Sequence, residues 1–168
     1  ASSIGPSSAF DGAVASVSLI LLPSATPTVT LRSLSAQKIE IRVDGATSNI
    51  GIGSTALSKA VSSNNAAFGF FALGAETTGG NNTAVGYFAL SANTRGLANT
   101  AIGSNSLGAN TTGYYNTGVG YLALAAVTVG DSNLGIGAFA APNITSGSHN
   151  TAIGVNTGNL LTTGTYNV

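Results

Sequence analysis

The stretch that decides the fold reads NTAVGYFALSANTRGLA over residues 82–98 and NTAIGSNSLGANTTGYY over residues 99–115. The second line nearly repeats the first, with Asn99 standing where Asn82 stood, a spacing of seventeen. Self-similarity at a fixed period marks a repeat architecture and takes priority over any local reading. Extended in both directions, the pattern N-x-[AG]-[IVF]-G starts at Asn49, Asn65, Asn82, Asn99, Asn116, Asn133 and Asn150, and an eighth copy begins at Asn167. The first step, from Asn49 to Asn65, is one shorter than the six that follow, which all equal the step from Asn82 to Asn99. The eighth copy stops at Val168, so the natural protein is expected to continue, or the chain is a segment of it.

Each position of the unit has a physical reading. The third is Gly or Ala, and the fourth is always apolar: Ile52, Phe68, Val85, Ile102, Val119, Ile136, Ile153. The fifth is always glycine: Gly53, Gly69, Gly86, Gly103, Gly120, Gly137, Gly154. The ninth is leucine in five units (Leu57, Leu73, Leu90, Leu107, Leu124) and then Ala141 and Gly158. A second glycine stands at the fifteenth position (Gly79, Gly96, Gly113, Gly130, Gly147, Gly164), two places after a threonine (Thr77, Thr94, Thr111, Thr128, Thr145, Thr162). Two glycines per unit mark two corners where φ is positive or backbones approach closely. Extended segments of about five residues between the corners have typical strand length.

A unit therefore reads as one coil of a flattened parallel β-solenoid, in the order strand, turn, strand, turn. Coils stacked at ~4.8 Å make seven of them rise only about 34 Å. The fourth- and ninth-position side chains are expected inside as aliphatic ladders, with Asn and Thr ladders at the corners or on the outer face. Glycines at this density exclude a helix.

Composition agrees with a repeat rather than an ordinary globule. Only ten of 168 residues carry full charge, and Trp, Met and Cys are absent. Low charge raises the question of a membrane span, but residues 13–22, the longest apolar run, are interrupted by Ser16 and Ser18 and end at Pro23. A spanning helix needs about 20 apolar residues. A net charge of zero leaves no basic footprint for nucleic acid. Without cysteine there is neither a disulfide nor a thiolate metal site. No Lys or Arg precedes Arg32, so the basic start of a secretory signal is missing.

Residues 1–48 differ from the rest. Six of the ten charges lie there: Asp11, Arg32, Lys38, Glu40, Arg42 and Asp44. Residues 13–22, 28–34 and 38–43 read as strands, the last alternating Ile39, Ile41, Val43 against Lys38, Glu40, Arg42. Asp44-Gly45 marks a turn, and residues 1–12 read as a flexible tail. Fewer than fifty residues bury little surface, so this β-rich segment is expected to lean on the solenoid as its first layer or to dock on another protein.

Chemistry is sparse. His149, the one histidine, reads as a loop residue; Asp131 falls near the equivalent point of the preceding unit and could pair with it across coils. Glu76, alone in its unit, cannot supply the paired carboxylates of glycoside hydrolysis. The G-x-G at Gly51 and Gly53 is repeat geometry without a βαβ context. Sequons at Asn81, Asn110 and Asn143 arise freely in a repeat rich in Asn and Thr. No catalytic, cofactor-binding or metal residue is expected, and an enzyme is the least favoured reading. The threonine rows could order water, as ice-binding solenoids do, and Tyr87, Tyr114, Tyr115, Tyr121 and Tyr166 could stack on sugars.

The outer faces carry an apolar load, including Tyr87, Phe88, Tyr114, Tyr115, Tyr121, Leu122 and Phe139, that a monomer would leave wet. Three rolls packed about an axis would cover one such face per chain, so a homotrimer is expected.

The unit N-T-A-[IV]-G-x-x-A-L-x-x-N-T-T-G resembles the repeat of bacteriophage tail-fibre proteins. Its core is also similar to the S-V-A-I-G element in the head domains of trimeric autotransporter adhesins. The resemblance covers residues 49–168. It implies an all-β, left-handed, trimeric roll forming the shaft of a tail fibre on the virion, linking the tail to recognition of a host-surface glycan or protein. Residues 1–48, which carry no part of the resemblance, would then attach to a tail or baseplate protein. The alternative it implies is a bacterial surface adhesin or self-assembling extracellular filament. A monomeric ice- or glycan-binding solenoid is a third expectation.

Overall fold

A computed structural model of the chain describes residues 28–32, 38–44, 47–60 and 62–168. The expected strand at 13–22 and the tail at 1–12 lie outside the described residues. Among the described residues, nine strands form one sheet in chain order: β1 Thr28–Arg32, β2 Lys38–Asp44, β3 Asn49–Ile52, β4 Ala66–Phe68, β5 Thr83–Val85, β6 Thr100–Ile102, β7 Thr117–Val119, β8 Leu134–Ile136 and β9 Thr151–Ile153. From β3 to β9 the pairing is parallel and in strict repeat register, for example Thr83↔Thr100, Ala84↔Ala101 and Val85↔Ile102. The architecture is therefore a β-solenoid in which each coil lies one sequence repeat from the next.

The N-terminal segment joins this sheet with opposite polarity. β1 and β2 form an antiparallel pair, and β2 runs antiparallel to β3 with Arg42 opposite Gly51. The hairpin thus covers the free edge of the first coil, as a capping element of a repeat array does. At the other end β9 pairs only with β8.

The coil has one strand, not the two expected. Each parallel strand from β4 onward covers only the second to fourth positions, and the opposite side is a run of turns. The seventh and ninth residues on that side adopt the left-handed region, as at Phe88 (φ 55) and Leu90 (φ 49). The alternation turns successive amides in opposite axial directions: Phe88 N–H donates back to Phe70 O, while Leu90 N–H donates forward to Ser106 O. Left-handed φ costs a non-glycine residue roughly 1–2 kcal/mol. Full burial of Leu90 returns about 1.5–3 kcal/mol, which explains why a leucine tolerates the conformation.

The core also differs from the expectation. The ninth-position leucines are inside, with Leu73, Leu90, Leu107 and Leu124 fully buried and Leu57 nearly so. The fourth-position residues are not: Ile52 and Val119 are half-buried, and Phe68, Val85, Ile102, Ile136 and Ile153 are exposed. Facing inward are the small third-position residues beside them, Ala67, Ala84, Ala101 and Ala152 among them. Successive strand residues point to opposite faces, so only one of the pair can enter the core. The leucine from the turn side decides which. A Cβ added at Gly135 would stand 2.8 Å from Leu124 Cγ, and one at Gly118 would meet Ser106 Oγ and Ala123 O of the turn side before Leu107 Cγ at 3.3 Å. Only a small side chain fits opposite a leucine in so flat a coil.

Two polar ladders close the coils. The first-position Asn is buried, not at the outer face. Asn99 Oδ1 accepts the N–H of Asn116 at 2.9 Å, and Asn99 Nδ2 donates to Gly113 O of its own coil at 2.8 Å. The same pair of bonds recurs from Asn65 to Asn150. The thirteenth-position threonines form the second ladder, each hydroxyl donating to the next threonine's carbonyl, as Thr94 to Thr111 at 3.1 Å. Glycine is required at both corners because the next coil approaches too closely for a Cβ: one at Gly103 would collide with Gly120 O and one at Gly113 with Gly130 O, and Gly103 has φ +130 in addition.

Candidate functional surfaces

Strand alternation places a continuous apolar stripe on the outside. The fourth residue of every coil contributes to it, and inter-coil register aligns Phe68, Val85, Ile102, Val119, Ile136 and Ile153 along the axis. Ile102, in the middle of the array, is 42% exposed. A contiguous exposed apolar stripe of this kind makes the face a candidate interaction surface.

The corner that follows carries aromatics at the sixth and seventh positions. Phe70 stacks on Tyr87 (5.6 Å, 16°) and Phe71 on Phe88 (5.1 Å, 25°), while Tyr121 meets Phe139 edge-on at 5.2 Å. Between the two groups lies a coil with Ser104 and Asn105 instead. Of the residues expected on the outer face, Tyr87, Tyr114, Tyr115, Tyr121 and Phe139 are exposed and Phe88 and Leu122 are half-buried.

Asp131 and His149 do meet across coils, but through the backbone. His149 N–H donates to Asp131 O at 3.0 Å, and Asp131 Oδ1 accepts the N–H of Tyr114 at 2.7 Å. The His149 ring stacks on Tyr166 at 4.8 Å. Asn110, one of the sequon asparagines, is fully buried, which removes it as a glycan acceptor in the folded chain.

Among the described residues, one titratable group is inside the coil stack. Glu76 is 0% exposed. Its Oε2 accepts from Asn93 Nδ2 and, at 3.3 Å, from Asn82 Nδ2, while Oε1 has no aligned donor. Burial pushes its pKa from 4.5 up to about 7, against the opposing pull of the Asn93 amide and the Gly79 and Thr77 backbone. Nothing in the sequence except its twelfth position, shared with Asn93, Asn110 and Val127, signals this burial. Asn110 Nδ2 donates to Asn93 Oδ1 at 2.8 Å, so a directional polar column runs Asn110 to Asn93 to Glu76. Its far end, Asn110 Oδ1, also lacks a partner.

At the C-terminal end the open face of the last coil forms a shallow depression of about 560 Å³ lined by Ile153, Gly158, Leu160 and Leu161 among others. Among the described residues, no three His, Asp or Glu side chains gather as a metal site, and no helix is long and apolar enough to cross a membrane. No protein family, curated protein or solved structure was matched by this chain.

Proposed function

We propose that the chain is a structural and adhesive fibre protein: a trimeric phage tail-fibre shaft on the virion, coiled in the left-handed sense, that links the tail to host-surface recognition. In this reading residues 1–48 attach to a tail or baseplate protein, and the homotrimer forms through the fourth-position stripe. The observation that carries it is the apolar stripe itself. Its side chains are apolar in every coil, yet the core of the single chain is filled without them by Ala and Leu. A solenoid that repeats an apolar residue on its outside through seven coils is built to be covered. A bacterial trimeric adhesin or self-assembling extracellular filament would use the same surface, and an ice- or glycan-binding solenoid would leave it free.

Sedimentation velocity on the full chain tests this reading. A trimer is expected, and the double variant Ile102→Asp, Ile136→Asp should sediment as a monomer with the β-rich circular dichroism of the parent. A monomeric parent would overturn the proposal. Imaging of virions with a tag on the chain separates the phage reading from the bacterial one.

A further inference from the structure

The aromatic corner is interrupted at a single coil, and the interruption is polar. Corner hydrogen bonds run unbroken through it: Phe88 N–H to Phe70 O (3.0 Å), Asn105 N–H to Tyr87 O (2.9 Å), Leu122 N–H to Ser104 O (3.0 Å) and Phe139 N–H to Tyr121 O (2.8 Å). Tyr87, Ser104 and Tyr121 therefore occupy three successive rungs. With a rise of ~4.8 Å per coil, the backbones carrying the two tyrosines stand about 10 Å apart. Tyr87 lies nearly parallel to Phe70 on the rung before it, so its ring presents a face along the stack. Tyr87 is 56% exposed and Tyr121 50%.

The gap has the chemistry of a small polar ligand. Ser104 and Asn105 are only half-buried, and Asn105 Nδ2 donates to Ser104 Oγ at 3.2 Å. That pair still offers the hydroxyl proton, the second amide proton and the amide oxygen, donors and acceptors suited to vicinal hydroxyls. No coil carries a charged residue at the sixth or seventh position, so an anionic ligand finds no counter-charge on this corner. A pyranose chair, with apolar C–H faces and a hydroxyl rim, seated on the Ser104 rung would lie one rung, ~4.8 Å, from the backbone of each tyrosine, within reach of both aromatic side chains.

We infer that the notch at Ser104 and Asn105 is a binding site for one neutral pyranose residue of a surface glycan, held between Tyr87 and Tyr121. The inference rests on the adhesive-fibre reading for its biological setting, while the site itself is defined by the corner geometry. Titration of the full chain with methyl glycosides of glucose, galactose and N-acetylglucosamine, followed by amide and side-chain NMR shifts, tests it. At least one sugar should give saturable shifts confined to Tyr87, Ser104, Asn105, Tyr121 and their neighbours, with a Kd of about 1 mM or weaker, as expected of a single exposed site.

Ser104→Tyr fills the empty rung without removing any side chain that holds the fold, and should weaken binding about tenfold or more. Asn105→Leu should do the same. Absence of saturable shifts with all three sugars, or shifts that persist in Ser104→Tyr, would overturn the site. So would protection of Tyr87 and Tyr121 by neighbouring copies, which would make the corner a packing surface. The two proposals fail separately: a trimer that ignores sugars removes the notch and keeps the shaft, and a sugar-binding monomer does the reverse.

Discussion

At the twelfth position of the coil the two halves of the array differ in kind. Coils starting at Asn65, Asn82 and Asn99 place Glu76, Asn93 and Asn110 there, whereas the following three place Val127, Ile144 and Leu161. All but Leu161 are fully buried, and the backbone ladders pass through both halves unchanged. In the polar half the Gly96 carbonyl accepts two amides, Asn82 Nδ2 at 2.8 Å and Asn93 Nδ2 at 3.0 Å. In the apolar half the Gly147 carbonyl accepts a side-chain amide from Asn133 alone. Coil geometry is therefore set by the glycines, the first-position Asn and the threonine ladder, and the twelfth position takes either polarity. What polarity adds is a condition: each buried donor and acceptor needs a partner. The column meets it in its middle and is weakest at its ends, where Glu76 Oε1 has no aligned hydrogen bond beyond the pull of the Gly79 and Thr77 backbone and Asn110 Oδ1 has no donor.

The sharpest break in the comparison is Asn93→Leu. It gives the polar half an apolar side chain of similar volume but removes the main donor to Glu76. The buried acid would keep only the 3.3 Å bond from Asn82 Nδ2, and Asn110 Nδ2 would lose its acceptor, so the change should destabilise by about 3–4 kcal/mol. Urea denaturation at pH 7 and fixed protein concentration reads the change. A loss below about 1 kcal/mol would mean that the column is not the buried network described.

Second in size is the pH dependence of Glu76. Its folded pKa lies above the unfolded value of 4.5, at about 7, so the folded state holds the proton more tightly. Its contribution is fully favourable below about pH 4.5 and is lost as pH rises to about 7, for a total of about 3 kcal/mol. Glu76→Gln keeps the shape and removes the titration. The parent should lose stability relative to this variant between those pH values, and parallel stability profiles for the two would contradict the burial of an ionisable acid.

The smallest effect is expected from Val127→Asn, which lengthens the polar column by one coil. An amide there can donate to the unpartnered Asn110 Oδ1, much as Asn110 donates to Asn93. The gain of about 1 kcal/mol from that bond offsets part of the roughly 1.5–3 kcal/mol of lost apolar burial, and the new Oδ1 becomes the end of the column. Val127→Ala, which leaves a cavity and no donor, should be less stable than Val127→Asn. The opposite order would show that Asn110 Oδ1 is satisfied in some other way.

Much of this is legible in the sequence. Corner glycines such as Gly103 and Gly113 announce themselves because no other residue has their pattern, and Leu90 and Leu107 because a large apolar side chain recurs where the neighbours are small. Ile102 reads as core, wrongly, because it is as regular and as apolar as Leu107. Periodicity reports that a position is constrained, without saying whether the chain's own interior or another surface constrains it. Glu76 reads as a solitary acid, since nothing in one unit shows that its column continues into Asn93 and Asn110.

Spacing and the steric needs of glycine are enough to fix the period, the coil count, the corners and the parallel register. Which face of the three-residue strand enters the core is settled by packing between the two sides of the coil. Alternation fixes only that Ala101 and Ile102 point in opposite directions. The leucine arriving from the turn side leaves room for the smaller of the two, and so sends the larger one outside.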